Sequence, residues 1–126
     1  MDGLHLTADL AGCAAGPAMT DPPALRRLCI DAVRATGLTP VGELFHRFPP
    51  PGGVTGVVLL AESHLAVHTW PERGAVTIDA YVCNFGGDNS LAAQHLIEQL
   101  IAAFAPQRVS RQQLQRGDAV PASAAQ

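Results

Sequence analysis

Lysine is absent from this 126-residue chain: all eight of its basic residues are arginine. That excludes a P-loop lysine, a lysine nucleophile and a pyridoxal phosphate anchored by this polypeptide. Aromatic residues are scarce at 5%, so the core must be mainly aliphatic. Charged residues make up only 15% against 48% apolar, the balance of a globular rather than a disordered chain. A net charge of −3 lacks the basic excess of a general nucleic-acid binder. The three cysteines, Cys13, Cys29 and Cys83, form neither a CxxC pair nor an even disulfide framework. Reduced thiols and a cytoplasmic location are therefore expected. No apolar run reaches membrane-helix length. The opening MDGLHLTADL alternates, whereas a secretion signal would place an apolar run after a basic segment. GxGxxG and GxSxG are both missing, the latter removing the usual hydrolase elbow around Ser63. Histidines and cysteines lack structural-zinc spacing, and HLAVH lacks the glutamate of HExxH, so no metal site is expected.

What is present is periodic. Leu4, Leu6, Ala8 and Leu10 share one face of a half-buried strand. Asp21-Pro22-Pro23 marks a helix entry, with aspartate as N-cap and proline in the first turn. Leu25, Leu28, Cys29, Ala32 and Val33 then recur at helical spacing until Gly37. Residues 38–48 read as a strand weakened by Pro40 and Gly42, and PPPGG at 49–53 as a stiff loop. Residues 54–61 form an apolar run of strand length. Residues 64–70 and 75–83 alternate, separated by a turn at Pro71–Gly74. Residues 90–104 read as a helix capped by Asn89 or Ser90, with Leu91, Ala92, Leu96, Ile97, Leu100, Ile101 and Phe104 apolar. Residues 107–110 suggest a short edge strand. The expected fold is α+β: a two-layer sandwich of a mostly antiparallel sheet with two helices packed on one face. A single domain is expected over residues 1–110, with residues 111–126 a flexible tail.

Polar chemistry concentrates between Glu62 and Cys83. Strand alternation puts His64, His68 and Trp70 on one face, and Asp79 and Cys83 on the matching face of the next strand. Folding this hairpin about Glu72-Arg73 places Trp70 opposite Ala75 or Val76, Cys83 near Ser63, and His68 within reach of Cys83. Taken singly, these residues have ordinary explanations. A serine between strands is most often turn chemistry, a histidine on a sheet a structural hydrogen-bonding group, and a free cysteine a small buried hydrophobe.

Taken together they resemble one family. Phe45-His46-Arg47-Phe48, Gly56-Val57-Val58, the string ESHLAVHTWPE at 62–72 and the segment 79–83 closely resemble the prokaryotic S-adenosylmethionine decarboxylase proenzymes. Gly3-Leu4-His5-Leu6, Asp9-Leu10 and Gly12-Cys13 resemble that family's opening strand, and the likeness spans residues 3 to 105. It implies a pyruvoyl-dependent carboxy-lyase whose substrate is S-adenosyl-L-methionine and whose product donates aminopropyl groups to spermidine. A decarboxylase acting on an α-amino acid needs an electron sink, and a backbone-derived ketone fits a chain that has no lysine.

The resemblance also implies roles. Ser63 attacks the Glu62 carbonyl, and autocatalytic cleavage gives fragments 1–62 and 63–126, the second headed by the covalent pyruvoyl group made from Ser63. His68 assists processing, and Thr55 stands where many relatives carry a serine that supports it. Cys83 is the proton donor; a free thiol ordinarily titrates near 8.5, which suits proton return at neutral pH. Phe48 and Trp70 sandwich the adenine, and Glu72 accepts hydrogen bonds from the ribose. A homodimer of processed two-chain protomers is implied, with the FHRF segment entering the partner's site. The PPPGG loop is one residue longer than the family's form, which bears on where Phe48 sits. Two other readings stay open on sequence: the same pyruvoyl chemistry on arginine or ornithine, and a non-catalytic binding or regulatory homologue.

Overall fold

The computed structural model describes residues 2–84 and 87–117. Its elements follow the sequence pattern: β1 (Gly3–Ala11), α1 (Pro22–Ala35), β2 (Pro40–Arg47), β3 (Val54–Leu60), β4 (Ser63–Trp70), β5 (Ala75–Cys83), α2 (Ser90–Phe104) and β6 (Arg108–Arg116). Single 3₁₀ turns stand at Pro17–Met19 and Pro71–Arg73. The six strands form one sheet in the order β2-β3-β4-β5-β1-β6, and every pairing is antiparallel. The α+β expectation holds.

Period-two patterning decides which face the helices cover. Leu4, Leu6, Ala8 and Leu10 of β1, Val54 and Val58 of β3, Leu65 and Val67 of β4, and Val76, Ile78, Ala80 and Val82 of β5 are buried in one core. Onto it pack Leu25, Cys29 and Val33 of α1 and Leu96, Leu100 and Phe104 of α2. Pro22 and Pro23 occupy the first turn of α1, where their missing N–H groups cost nothing. Asp21 sits at the N-cap position without a side-chain cap bond, so the proline pair rather than the carboxylate defines this start. On α2 the outermost expected core residue is displaced: Leu91 is exposed and Ala93 is buried instead.

The opposite face is covered by neither helix. It carries His5 and Thr7 of β1, Thr55 of β3, His64, His68 and Trp70 of β4, and Thr77, Asp79 and Tyr81 of β5. Leu44, Leu59 and Leu114 also stand exposed on it. The helix-covered side supplies cohesion, and the free side is available for chemistry and association.

One boundary must be corrected. Arg111 to Arg116 belong to a nine-residue strand, not a tail: β6 pairs along all of β1, from Ala11↔Arg108 to Gly3↔Arg116. Its residues are all exposed, so no hydrophobic alternation announced it; the backbone ladder to β1 holds it. An ion pair from Arg111 to Glu98 of α2 adds a tie to the helical layer. Residues 118–126 of the expected tail lie outside the described residues. No helix among the described residues is long and apolar enough to cross a membrane.

Two outcomes follow from this packing. A chain ending at Ser110 should unfold at a lower urea midpoint and lose hydrogen-exchange protection at β1 amides, because β1 becomes an unpaired edge. Burial also pushes the Cys29 thiol up to about 12. The folded state then keeps a proton that the unfolded chain releases, so this contribution is complete below about pH 9 and declines towards pH 12. Urea titrations between about pH 8 and 11 should show that decline, flattened in Cys29→Ala.

Candidate functional site

Ser63 begins β4 directly after a two-residue turn, since Leu60 of β3 pairs with Ser63. The second turn residue is Glu62, whose φ of 53° lies in the left-handed region. A side chain there costs about 1–2 kcal/mol relative to glycine, so the peptide entering Ser63 is held in an unfavourable conformation. The Ser63 hydroxyl is also fixed: its Oγ accepts the backbone N–H of Cys83 at 3.1 Å. Cys83 closes β5, and its carbonyl accepts Asn89 Nδ2 at 2.9 Å. Asn89 in turn receives support at its own N–H from Asn84 Oδ1 at 2.8 Å. Ser63 and Cys83 thus share a cavity of about 410 Å³ with Glu62, Thr39 and Asn89. A hydroxyl, a thiol and a residue in a strained backbone conformation thus meet in one place.

Five residues away along β4 lies a second cluster. The β3–β4 register opposes Thr55 to His68, and Thr55 Oγ1 lies 2.9 Å from His68 Nδ1. The His68 ring is 5.9 Å from that of Trp70, tilted by 31°. Thr55, His68, Trp70, Glu72 and Phe48 all line one cavity of about 330 Å³, walled by Pro49, Pro51 and Gly53. Its shape depends on the PPPGG loop. Phe48 N–H donates to the Gly53 carbonyl at 2.9 Å, closing the loop. Gly53 lies so close to the Thr69 carbonyl that a Cβ there would overlap the oxygen. Thr69 is buried and ties β3 to the 3₁₀ turn, since its Oγ1 accepts Val54 N–H at 2.9 Å and donates to the Met19 carbonyl at 2.8 Å.

The expected hairpin register is thus realised in part. Trp70 opposes Ala75, and Ser63 meets Cys83. His68, however, opposes Thr77, six residues short of Cys83. At about 3.3 Å per residue, five strand residues hold His68 about 16 Å from Ser63 in the same chain. The expectation that His68 reaches Cys83 within one chain fails because an extended strand cannot fold its ends together. Phe48 likewise lies with Trp70 and Glu72 of its own chain.

Three residues near Ser63, His5, Tyr81 and Arg116, were not singled out by the sequence. His5 Nε2 lies 3.1 Å from Asp79 Oδ1, linking β1 to β5. Tyr81 is flanked edge-on by His5 at 6.2 Å and by the tilted His64 ring at 5.8 Å. Arg116 of β6 stands over the same tyrosine. Strand alternation had marked Asp79 as facing the site, but Arg116 had no local signal, because its strand was read as tail. Asn89 was read only as a helix cap; its side chain instead holds the Cys83 carbonyl. Among the described residues no group of three or more His, Cys, Asp or Glu is arranged to hold a metal ion.

A family model described as S-adenosylmethionine decarboxylase matches residues 4–117. The S-adenosylmethionine decarboxylase proenzyme of Aquifex aeolicus is 41% identical over 115 residues, covering 91% of this chain and 81% of the relative. That of Pyrococcus furiosus is 35% identical over 103 residues, covering 82% and 73%. The crystal structure of the adenosylmethionine decarboxylase from Aquifex aeolicus superposes with a TM-score of 0.82 at 38% identity, over 91% of this chain and 90% of that one. The Trypanosoma brucei AdoMetDC-delta26 monomer is similar in fold, with a TM-score of 0.55 at 15% identity over 86% of this chain and 44% of that one.

Gly53→Ala tests how the loop shapes the second cavity. The added methyl must push Thr69 or the loop aside, so the variant should lose about 1–3 kcal/mol in urea unfolding.

Proposed function

The chain belongs to the S-adenosylmethionine decarboxylase family, and from that membership we propose that it is made as a proenzyme, cuts itself between Glu62 and Ser63, and decarboxylates S-adenosyl-L-methionine. The observation that carries this reading is the contact of Ser63 with Cys83 beside the strained Glu62. The Ser63 hydroxyl attacks the Glu62 carbonyl, turning the amide into an ester. Removal of the Ser63 Cα proton then breaks the Cβ–O bond, and Glu62 leaves as a carboxylate. Water replaces nitrogen on the remaining unit, ammonia departs, and residue 63 becomes the pyruvoyl terminus of the second fragment. His68, hydrogen-bonded to Thr55, is the base for the elimination, and Thr55 keeps its ring oriented.

The pyruvoyl group supplies a carbonyl that draws off the electrons left when carbon dioxide departs. Every other task falls to side chains. Cys83, with its backbone fixed on both sides by Ser63 and Asn89, returns a proton to the substrate α-carbon. Phe48 and Trp70 take the adenine between their rings, and their faces also favour the cationic sulfonium. Glu72 accepts hydrogen bonds from the ribose hydroxyls. Two aromatics and a carboxylate in one cavity fit a nucleoside, which disfavours arginine or ornithine as substrate.

The separation along β4 is what supports a dimer. Ser63 and Cys83 form one half-site and Phe48, Thr55, His68, Trp70 and Glu72 the other, too far apart to act within one chain. A two-fold axis on the uncovered sheet face brings the first half of each protomer to the second half of its partner. Leu44, Leu59 and Leu114 on that face supply apolar surface for the contact. The partner thus gives the whole second group, not the FHRF segment alone.

Mass spectrometry tests both parts. The purified protein should consist of fragments 1–62 and 63–126, the second lacking serine at its start, and should release CO₂ from carboxyl-labelled S-adenosylmethionine. Ser63→Ala should stay whole, and His68→Ala should cleave at least tenfold more slowly. Co-expressed Ser63→Ala and His68→Ala chains should restore cleavage of the His68→Ala chain, since each mixed dimer holds one composite site with both groups intact. Absence of rescue would remove the shared site while leaving the chemistry standing.

A further inference from the structure

We propose that Arg116 is a positioning residue that holds the carboxylate which cleavage creates on Glu62; the inference rests on the self-cleavage reading above. Elimination at Ser63 turns a neutral peptide carbonyl into an anionic chain end, adding a second negative charge to that of the Glu62 side chain. Beside that bond lies a cavity of about 260 Å³, lined by His5, Glu62, Ser63, His64, Tyr81 and Arg116. Arginine is the one permanently cationic group in this lining.

Three strands place it there. Gly3 of β1 pairs with Cys83 on one side and with Arg116 on the other, so Arg116 stands two strands from the thiol at the same level of the sheet. Gly3 has no side chain, and a Cβ in its place would run into the Tyr81 ring. The tyrosine can therefore lie across β1 towards β6, where the Arg116 guanidinium stacks on it with Cζ 5.7 Å from the ring centroid. Asp79, the other acidic group of this region, is already engaged by His5. Among the described residues, Arg116 has no carboxylate within ion-pairing distance. A planar guanidinium matches a carboxylate through two parallel hydrogen bonds. Held this way, the new chain end stays clear of residue 63 and leaves room for substrate. Closure of the dimer over this face would raise the need for a counter-charge, because an unpaired anion loses its water there.

The test compares Arg116→Gln in two backgrounds: the self-cleaving protein and Ser63→Ala, which keeps the peptide bond. Intact mass is read on every sample. The cleaved protein should lose about 2–4 °C more in Tm from Arg116→Gln than the whole chain does. Arg116→Lys should recover part of that difference, and KM for S-adenosylmethionine should stay within about twofold of the parent. Equal Tm losses in both backgrounds would overturn the proposal, reducing Arg116 to its stacking on Tyr81. A raised KM without a Tm difference would also overturn it, assigning the guanidinium to the substrate carboxylate. An Arg116→Gln chain that stays whole while its parent cleaves would move the role to a step before cleavage and overturn it too. A parent protein that stays whole would instead remove the self-cleavage reading itself.

Discussion

The antiparallel register of β4 against β5 is the constraint on which the site depends. It opposes Trp70 to Ala75 and His64 to Tyr81, which carries Cys83 to the start of β4. A slip of one residue would turn the polar row of β4 into the core and Leu65 and Val67 out of it, so burial fixes the pairing firmly. The same register keeps His68 at the far end of its own strand. Contact between Ser63 and Cys83 and separation of Ser63 from His68 are therefore two consequences of one ladder.

The one-sided core follows the same logic. Because the buried aliphatic side chains of β1, β3, β4 and β5 point one way, α1 and α2 both settle on that face. The other face is left to histidines, threonines, Asp79 and Tyr81, with Leu44, Leu59 and Leu114 exposed among them. A polar face with apolar patches can hold reactive groups and also dock a second copy. In the proposed dimer, half-sites too distant within a chain become neighbours between chains. Catalysis is then tied to assembly, and a lone protomer would neither process efficiently nor turn over.

Much of this was legible from residue order. Period-two alternation located β1, β4 and β5, and the turn at Pro71–Gly74 set the β4–β5 pairing to within a residue. Helical spacing located α1 and α2. The ESHLAVHTWPE string identified the family, whereas the pairing of Thr55 with His68 came only from the β3–β4 register. Other features were hidden for physical reasons. β6 has no buried side chain, so its strand character rests on backbone bonds to β1 that no local pattern encodes. Asn89 read as a cap because its type suits that position, while its side chain serves the Cys83 carbonyl instead. Arg116 and His5 are remote in sequence from Ser63 and become neighbours only through β1.

Sequence by itself determined the chemistry available: a serine after a glutamate, one thiol at a strand end, two aromatics and a carboxylate close together in the chain, and no lysine to anchor an aldehyde cofactor. These are properties of residue type and short-range spacing, which the linear chain carries intact. Tertiary structure alone decided which of them meet. Extended strands keep residues on one strand apart by a fixed rise per residue, whereas cross-strand pairing joins residues from distant parts of the chain. For that reason Ser63 found Cys83, Arg116 found Tyr81, and His68 was left beside Thr55, at the far end of its own strand from Ser63.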